Sequence, residues 1–188
     1  KGEYQANNLV VGGVLYTVTP NRRVIALDAA TGRERWRWNP ADSRAGAGAK
    51  RQRGLVYWAG EEGRDARLFT GVGNYLFALD PKTGAVIKTF GDDGSIELGR
   101  GLDVDGVPKV GLNTPGVIYR DLLIVGGVGG PGAVRAFDVR TGALRWVFHT
   151  IPRPGEAGHE TWPAEAWKTA GGASAWSGLS LDESRGIV

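Results

Sequence analysis

The side chains able to do chemistry are few, and read alone they argue against a self-contained reaction centre. His149 falls on an expected strand and His159 in a Pro/Gly loop, a separation that suits no zinc site. Glu156 and Glu160 could act as a general acid and base, yet their Pro- and Gly-rich setting reads as a solvated loop face. Residues 126–132 invite comparison with a phosphate cradle but lack the Gly-Lys-Ser/Thr ending and a following helix. The chain has no cysteine, which excludes thiol catalysis, zinc ribbons and disulfide frameworks. Arg53, ahead of Gly54-Leu55-Val56-Tyr57-Trp58, reads by itself as a solvated charge. Gln5 and Asn113-Thr114-Pro115 read as turn residues before strands.

The elements that must position these residues are repeated. Ala26-Leu27-Asp28-Ala29-Ala30-Thr31-Gly32 returns as Ala78-Leu79-Asp80-Pro81-Lys82-Thr83-Gly84 and as Ala136-Phe137-Asp138-Val139-Arg140-Thr141-Gly142. A period of roughly 50 residues suggests a propeller, a solenoid or an array. In each copy an apolar strand runs into Asp, whose carboxylate can accept from nearby backbone N–H groups, and Gly supplies the positive φ that closes a hairpin. Trp36 and Trp146 follow in copies one and three, side chains large enough to fill the gap between neighbouring sheets. Copy two has Lys88 there and Phe90 just beyond, so its seam must pack differently.

The 31 Gly and 7 Trp, with few long periodic segments, favour short strands and tight turns over helices. With 23 basic and 20 acidic side chains the net charge is only +3, and the basic residues are scattered, which argues against nucleic acid. No apolar run approaches the roughly 20 residues that span a bilayer. In order, blade-like meanders are expected at about residues 5–38, 54–90 and 114–150, with residues 86–90 as the outer strand of the second. Residues 91–110 read as a loop and 151–172 as an inserted excursion with one short helix near 164–169. Residues 175–182 resume strand alternation, and 186–188 begin another strand, so a fourth blade starts at 175–188. The expectation is one partial domain over 1–188: an all-β partial β-propeller of about three to four four-stranded blades. Three blades and a part cannot close a ring, so the chain is expected to be a piece whose edges are completed by the remainder of the propeller, a missing chain segment first and self-association of copies as the alternative.

These residues resemble a known family, the pyrroloquinoline quinone (PQQ)-dependent dehydrogenases, whose eight-bladed propellers oxidise alcohols or sugars. The Asp-x-x-Thr-Gly-x-x-x-Trp unit is similar to that family's tryptophan-docking motif. Phe148-His149-Thr150-Ile151-Pro152-Arg153-Pro154-Gly155-Glu156, with Glu160-Thr161-Trp162-Pro163 and Ala166-Trp167-Lys168, resembles the glucose-dehydrogenase-like branch. The resemblance implies that Trp176 forms the floor under the planar quinone and that Arg53 pairs with one of its carboxylates. It also places Gln5, Asn113 and Thr114 among the cofactor contacts. It implies oxidation of an alcohol or aldose hydroxyl: a base takes the hydroxyl proton, hydride passes to the quinone, and electrons leave to a membrane quinone or a cytochrome. It implies a periplasmic setting, with membrane association of the full-length protein as an option.

Calcium is expected of the family, but residues 126–132 carry no oxygen-bearing side chain where relatives place a ligating carboxylate. No metal ligand or catalytic residue is therefore expected in this chain, which alone should be inactive, the catalytic Asp belonging in relatives to a later stretch. A second reading stays open, a non-enzymatic propeller of the same repeats serving as a binding or assembly platform.

Overall fold

The computed structural model describes residues 5–46, 52–100, 102, 110–130 and 132–188. These contain three four-stranded antiparallel sheets, each a meander in chain order. The first holds β1 (Leu9–Val11), β2 (Val14–Val18), β3 (Val24–Asp28) and β4 (Glu34–Trp38). The second holds β5 (Val56–Trp58), β6 (Arg67–Val72), β7 (Tyr75–Leu79) and β8 (Ser95–Glu97). The third holds β9 (Val117–Tyr119), β10 (Leu122–Gly126), β11 (Ala133–Asp138) and β12 (Leu144–His149). The chain is a partial β-propeller.

The repeated turn explains the meander. Asp28 Oδ1 accepts from the N–H of Thr31 at 3.0 Å and from its hydroxyl at 2.9 Å, while Gly32 takes φ 73°. Asp138 does the same with Thr141, at 2.8 and 3.0 Å, and Gly142 takes φ 72°. Asp80 accepts from Lys82 N at 2.6 Å and Thr83 N at 3.2 Å. The register slips at Ala26/Leu27 and again at Ala136/Phe137, so copies one and three share even their bulge. A bulge strengthens local twist, as stacked blades require.

Copy two departs from expectation. Residues 86–90 are not the outer strand: after the single bridge Leu79↔Val86 the chain turns, and β8 pairs with β7 instead. Phe90 is the cause, since its ring is fully buried against Phe69, 5.4 Å between centroids, and cannot lie along an outer edge. The stretch 91–110, expected as loop, therefore supplies a strand, and Leu98, Leu102 and Val110 join the core between the second and third sheets. Within it, 101 and 103–109 lie outside the described residues.

Seam packing follows the large aromatics. The Trp36 ring lies on Gly84 of the next repeat, where a Cβ would fall 2.5 Å from it, and its Nε1 donates to Pro81 O at 2.9 Å. Phe90 and Ile96 occupy the corresponding place against Gly142. Trp58 reaches across with Nε1 donating to Arg120 O at 3.1 Å, under the Arg140 guanidinium. Trp146, expected in a seam, is 38% exposed on the outer strand of the third sheet. Beyond it the chain makes a 3₁₀ turn (His159–Thr161) and the short helix α1 (Ala166–Thr169). Residues 175–188, expected as strands, form turns closed by one bridge, Asp182↔Ile187, with Asp182 Oδ1 accepting from Ser184 and Arg185 N–H groups.

The turn carboxylates set an acid limit. Burial pushes the Asp138 carboxyl up, but the Thr141 N–H and hydroxyl and the Arg140 N–H outweigh it and hold the group below the ordinary range. A folded-state pKa below the unfolded one contributes stability above the unfolded value, about 4, and loses it as pH falls through the folded value. Thermal unfolding should therefore be flat from neutral pH down to about 5 and decline below about 4. Asp138→Asn should cost about 1 kcal/mol at neutral pH and flatten part of that decline; an unchanged acid slope contradicts the assignment.

Candidate cofactor-binding site

The segments leading into β1, β5 and β9 lie side by side. Asn7 pairs with Gly54 in a parallel bridge, Asn7 N donates to Arg53 O at 2.7 Å, and Arg53 N donates to Asn113 O at 2.8 Å. Gly54 has no room for a side chain larger than hydrogen without strain, since a Cβ would sit 3.1 Å from Asn7 O and 3.3 Å from Pro115 Cγ. Backbone pairing across three repeats thus brings together residues that are far apart in sequence.

Arg53 is the hub. Its Nε donates to Gln5 Oε1 at 3.0 Å, its Nη1 donates to Trp176 O at 3.2 Å, and its guanidinium lies 5.4 Å from the centre of the Trp176 ring. Such a cation–π contact is favourable for an arginine. Trp176 remains 55% exposed, so much of its indole ring is open. Asn113 joins through its backbone, and its side-chain Oδ1 is buried without a partner. Thr114 is buried next to it. Gln5, Arg53 and Trp176 are thereby brought together through side chains, Asn113 meets Arg53 through its backbone carbonyl, and Thr114 follows it in the chain.

Two further residues escaped the reading of the sequence. Gln52 is buried, with Nε2 donating to Gly54 O at 2.8 Å, and its Oε1 has no partner. Its signal was adjacency to Arg53. Arg135 on β11 shares a sheet face with Ala133 and Phe137 and is 1% exposed; strand alternation marked that face as inward.

The glycine stretch forms a wall. A Cβ on Gly126 would fall 2.7 Å from Ala175 Cβ, one on Gly132 would strike Ala173 O at 2.2 Å, and Gly172 N donates to Gly130 O at 3.4 Å. Glycine is required here because the chain bearing Trp176 runs directly against it; residue 131 lies outside the described residues. Among the described residues there is no group of three or more His, Cys, Asp or Glu side chains placed to hold a metal ion. Glu156, considered with Glu160 from the sequence, is engaged by other partners: it bonds His149 Nδ1 at 2.7 Å and accepts from Arg153 N at 2.8 Å.

The family model for the PQQ-dependent glucose/ethanol/alcohol dehydrogenase β-propeller domain matches residues 1–188. The chain belongs to this family. It is 31% identical, over 95% of its length, to the dehydrogenase subunit of the quinone-type alcohol dehydrogenase of Acetobacter aceti, and 33% identical over 96% to that of Gluconobacter oxydans (strain 621H). Among solved structures, the quinohemoprotein alcohol dehydrogenase ADHIIG of Pseudomonas putida HK5 superposes with a TM-score of 0.73 at 28% identity, over 96% of this chain and 27% of that one. The PQQ-family chain spans 26% of the length of either bacterial dehydrogenase subunit.

Proposed function

We propose that this chain supplies the cofactor-holding part of a PQQ-dependent dehydrogenase that oxidises an alcohol or an aldose. The observation that carries the reading is the Arg53 fork held between Gln5 and a half-exposed Trp176. An anionic, planar, aromatic ligand suits this pair, because the guanidinium can pair with a carboxylate while the indole stacks on a ring. Gln5 orients the fork, and the buried Asn113 Oδ1 offers an acceptor to a donor on the ligand. Gln52 grips Gly54 O and so fixes the backbone of Arg53. Trp176 would exclude water from one ring face. Bound there, the quinone would supply hydride-accepting chemistry that the side chains lack.

The remaining assignments rest on the likeness to relatives. The base that removes the hydroxyl proton is assigned to another part of the propeller, the electrons to a quinone or cytochrome acceptor, and the site of action to the periplasm. Calcium does not fit the residues described here, because the glycine wall offers no side-chain oxygen and the ion seeks about six to eight oxygens. That same wall favours the second reading, a propeller that binds or assembles without catalysis.

Activity separates the two. The complete polypeptide that carries this sequence, loaded with PQQ, should reduce an artificial electron acceptor in the presence of primary alcohols or aldoses. Arg53→Lys, which loses the planar fork, should reduce the quinone affinity about tenfold. Quinone-loaded protein giving no turnover with either substrate class supports the platform instead.

A further inference from the structure

We infer that Arg135 is a resident cation behind the glycine wall, so that the wall beside Trp176 takes an anionic oxygen, a carboxylate or oxyanion, and disfavours a divalent metal. The inference rests on the reading of the Arg53–Trp176 pair as a ligand site and names the charge that the neighbouring wall presents to the ligand.

Arg135 is among the most completely buried large side chains of the protein. Its Nη1 donates to Leu98 O, its guanidinium lies 5.6 Å from the Phe137 ring centre, and both Nε and Nη2 are buried without a partner. It makes no ion pair with any carboxylate of the described residues. Arg67 shows the contrast: it is nearly as buried, yet its Nη2 meets Asp65 at 3.0 Å and its Nη1 meets Arg140 O. A buried charge lacking a counter-charge is costly, which points to a partner from outside the described residues. Burial brings the guanidinium down to about 10, so it remains charged at neutral pH.

The position of this charge gives it a role. A Cβ on Gly127 would lie 2.9 Å from Val110 Cγ1 and 3.8 Å from Arg135 Nη2, and Gly126 is packed on Ala175, the residue before Trp176. Main chain, with no intervening side chain at Gly126 or Gly127, separates the guanidinium from the segment that carries the indole. Through so thin a layer of intermediate dielectric, a unit charge changes the affinity of an anion by about tenfold and opposes a cation equally. The wall presents positive potential where a carboxylate-poor metal site would have to form.

The test compares wild type, Arg135→Lys, Arg135→Met and Arg135→Gln in the complete polypeptide. The probes are PQQ, followed by tryptophan quenching, and pyridine-2,6-dicarboxylate, followed by its effect on the melting temperature. Arg135→Met should bind PQQ about tenfold more weakly and Arg135→Lys within about threefold of wild type. The dicarboxylate should raise the melting temperature of wild type and leave that of Arg135→Met unchanged. Loss of the lone buried charge should not lower the basal melting temperature of Arg135→Met, a readout that separates charge from packing. Should the methionine variant fail to fold, the glutamine variant carries the same comparison. Wild-type affinity for both probes in a folded neutral variant overturns the inference. Arg135-dependent binding of the dicarboxylate without any binding of PQQ keeps the charged wall and overturns the quinone reading instead.

Discussion

Trp176→Ala should weaken PQQ binding by roughly a hundredfold, about 3 kcal/mol, because stacking and the apolar area of a whole indole face are lost together. The indole is half open, so its removal exposes little core and the melting temperature should stay near that of wild type. Arg53→Met should have an effect of similar size for a different reason, the loss of a charge-assisted pair with a carboxylate. The two losses should not add, since the guanidinium stacks on the same ring that Trp176→Ala removes. Equilibrium titration of the two single variants and the double variant measures the coupling. Affinity within a factor of about two of wild type in Trp176→Ala is incompatible with a stacking role.

Gly84→Ala should be the most damaging single methyl group in the seam between the first two sheets. The residue sits at φ 74°, where a Cβ costs about 1–2 kcal/mol. That Cβ would fall 2.5 Å from the Trp36 ring, so the indole must shift and give up its bond to Pro81 O. Strain, displacement and the lost bond together come to roughly 4 kcal/mol. In a protein of this size the melting temperature should fall by roughly 8–16 °C. Gly73→Ala is the control: φ is 61° but nothing lies within 4 Å of the new methyl, so only the backbone cost of about 1–2 kcal/mol applies. Equal losses in the two variants contradict the docking of Trp36 on the following repeat.

Much of the fold was legible because the recurring turn is built from neighbours in sequence. An Asp, a Thr and a Gly at fixed offsets make their own hydrogen bonds and positive φ, so three copies announce three hairpins without reference to the rest of the chain. The outer strand of the second sheet was misplaced because residues 86–90 have strand-like alternation, yet tertiary packing draws Phe90 inward and hands the edge to β8. Trp146 repeats the spacing of Trp36 but lies partly exposed on an outer strand, since spacing in sequence says nothing of what faces it. The candidate site was visible only through family likeness. Its members come from stretches around residues 5, 53, 113 and 176, and no local pattern links them; the backbone pairing of Asn7, Arg53 and Asn113 does. Gln52 was missed because a polar residue in a connection, and Arg135 because a charged residue on a strand, reads as solvated, whereas here one grips a carbonyl and the other is buried beneath glycines.

The central claim is that segments from separate repeats meet to hold one planar anionic cofactor on the Trp176 face. The most direct measurement is a fluorescence titration of the complete polypeptide with PQQ, run beside Trp176→Ala. Quenching should saturate at one quinone per polypeptide, with most of it lost in the variant. No saturation at high micromolar quinone, or quenching that Trp176→Ala leaves intact, contradicts it.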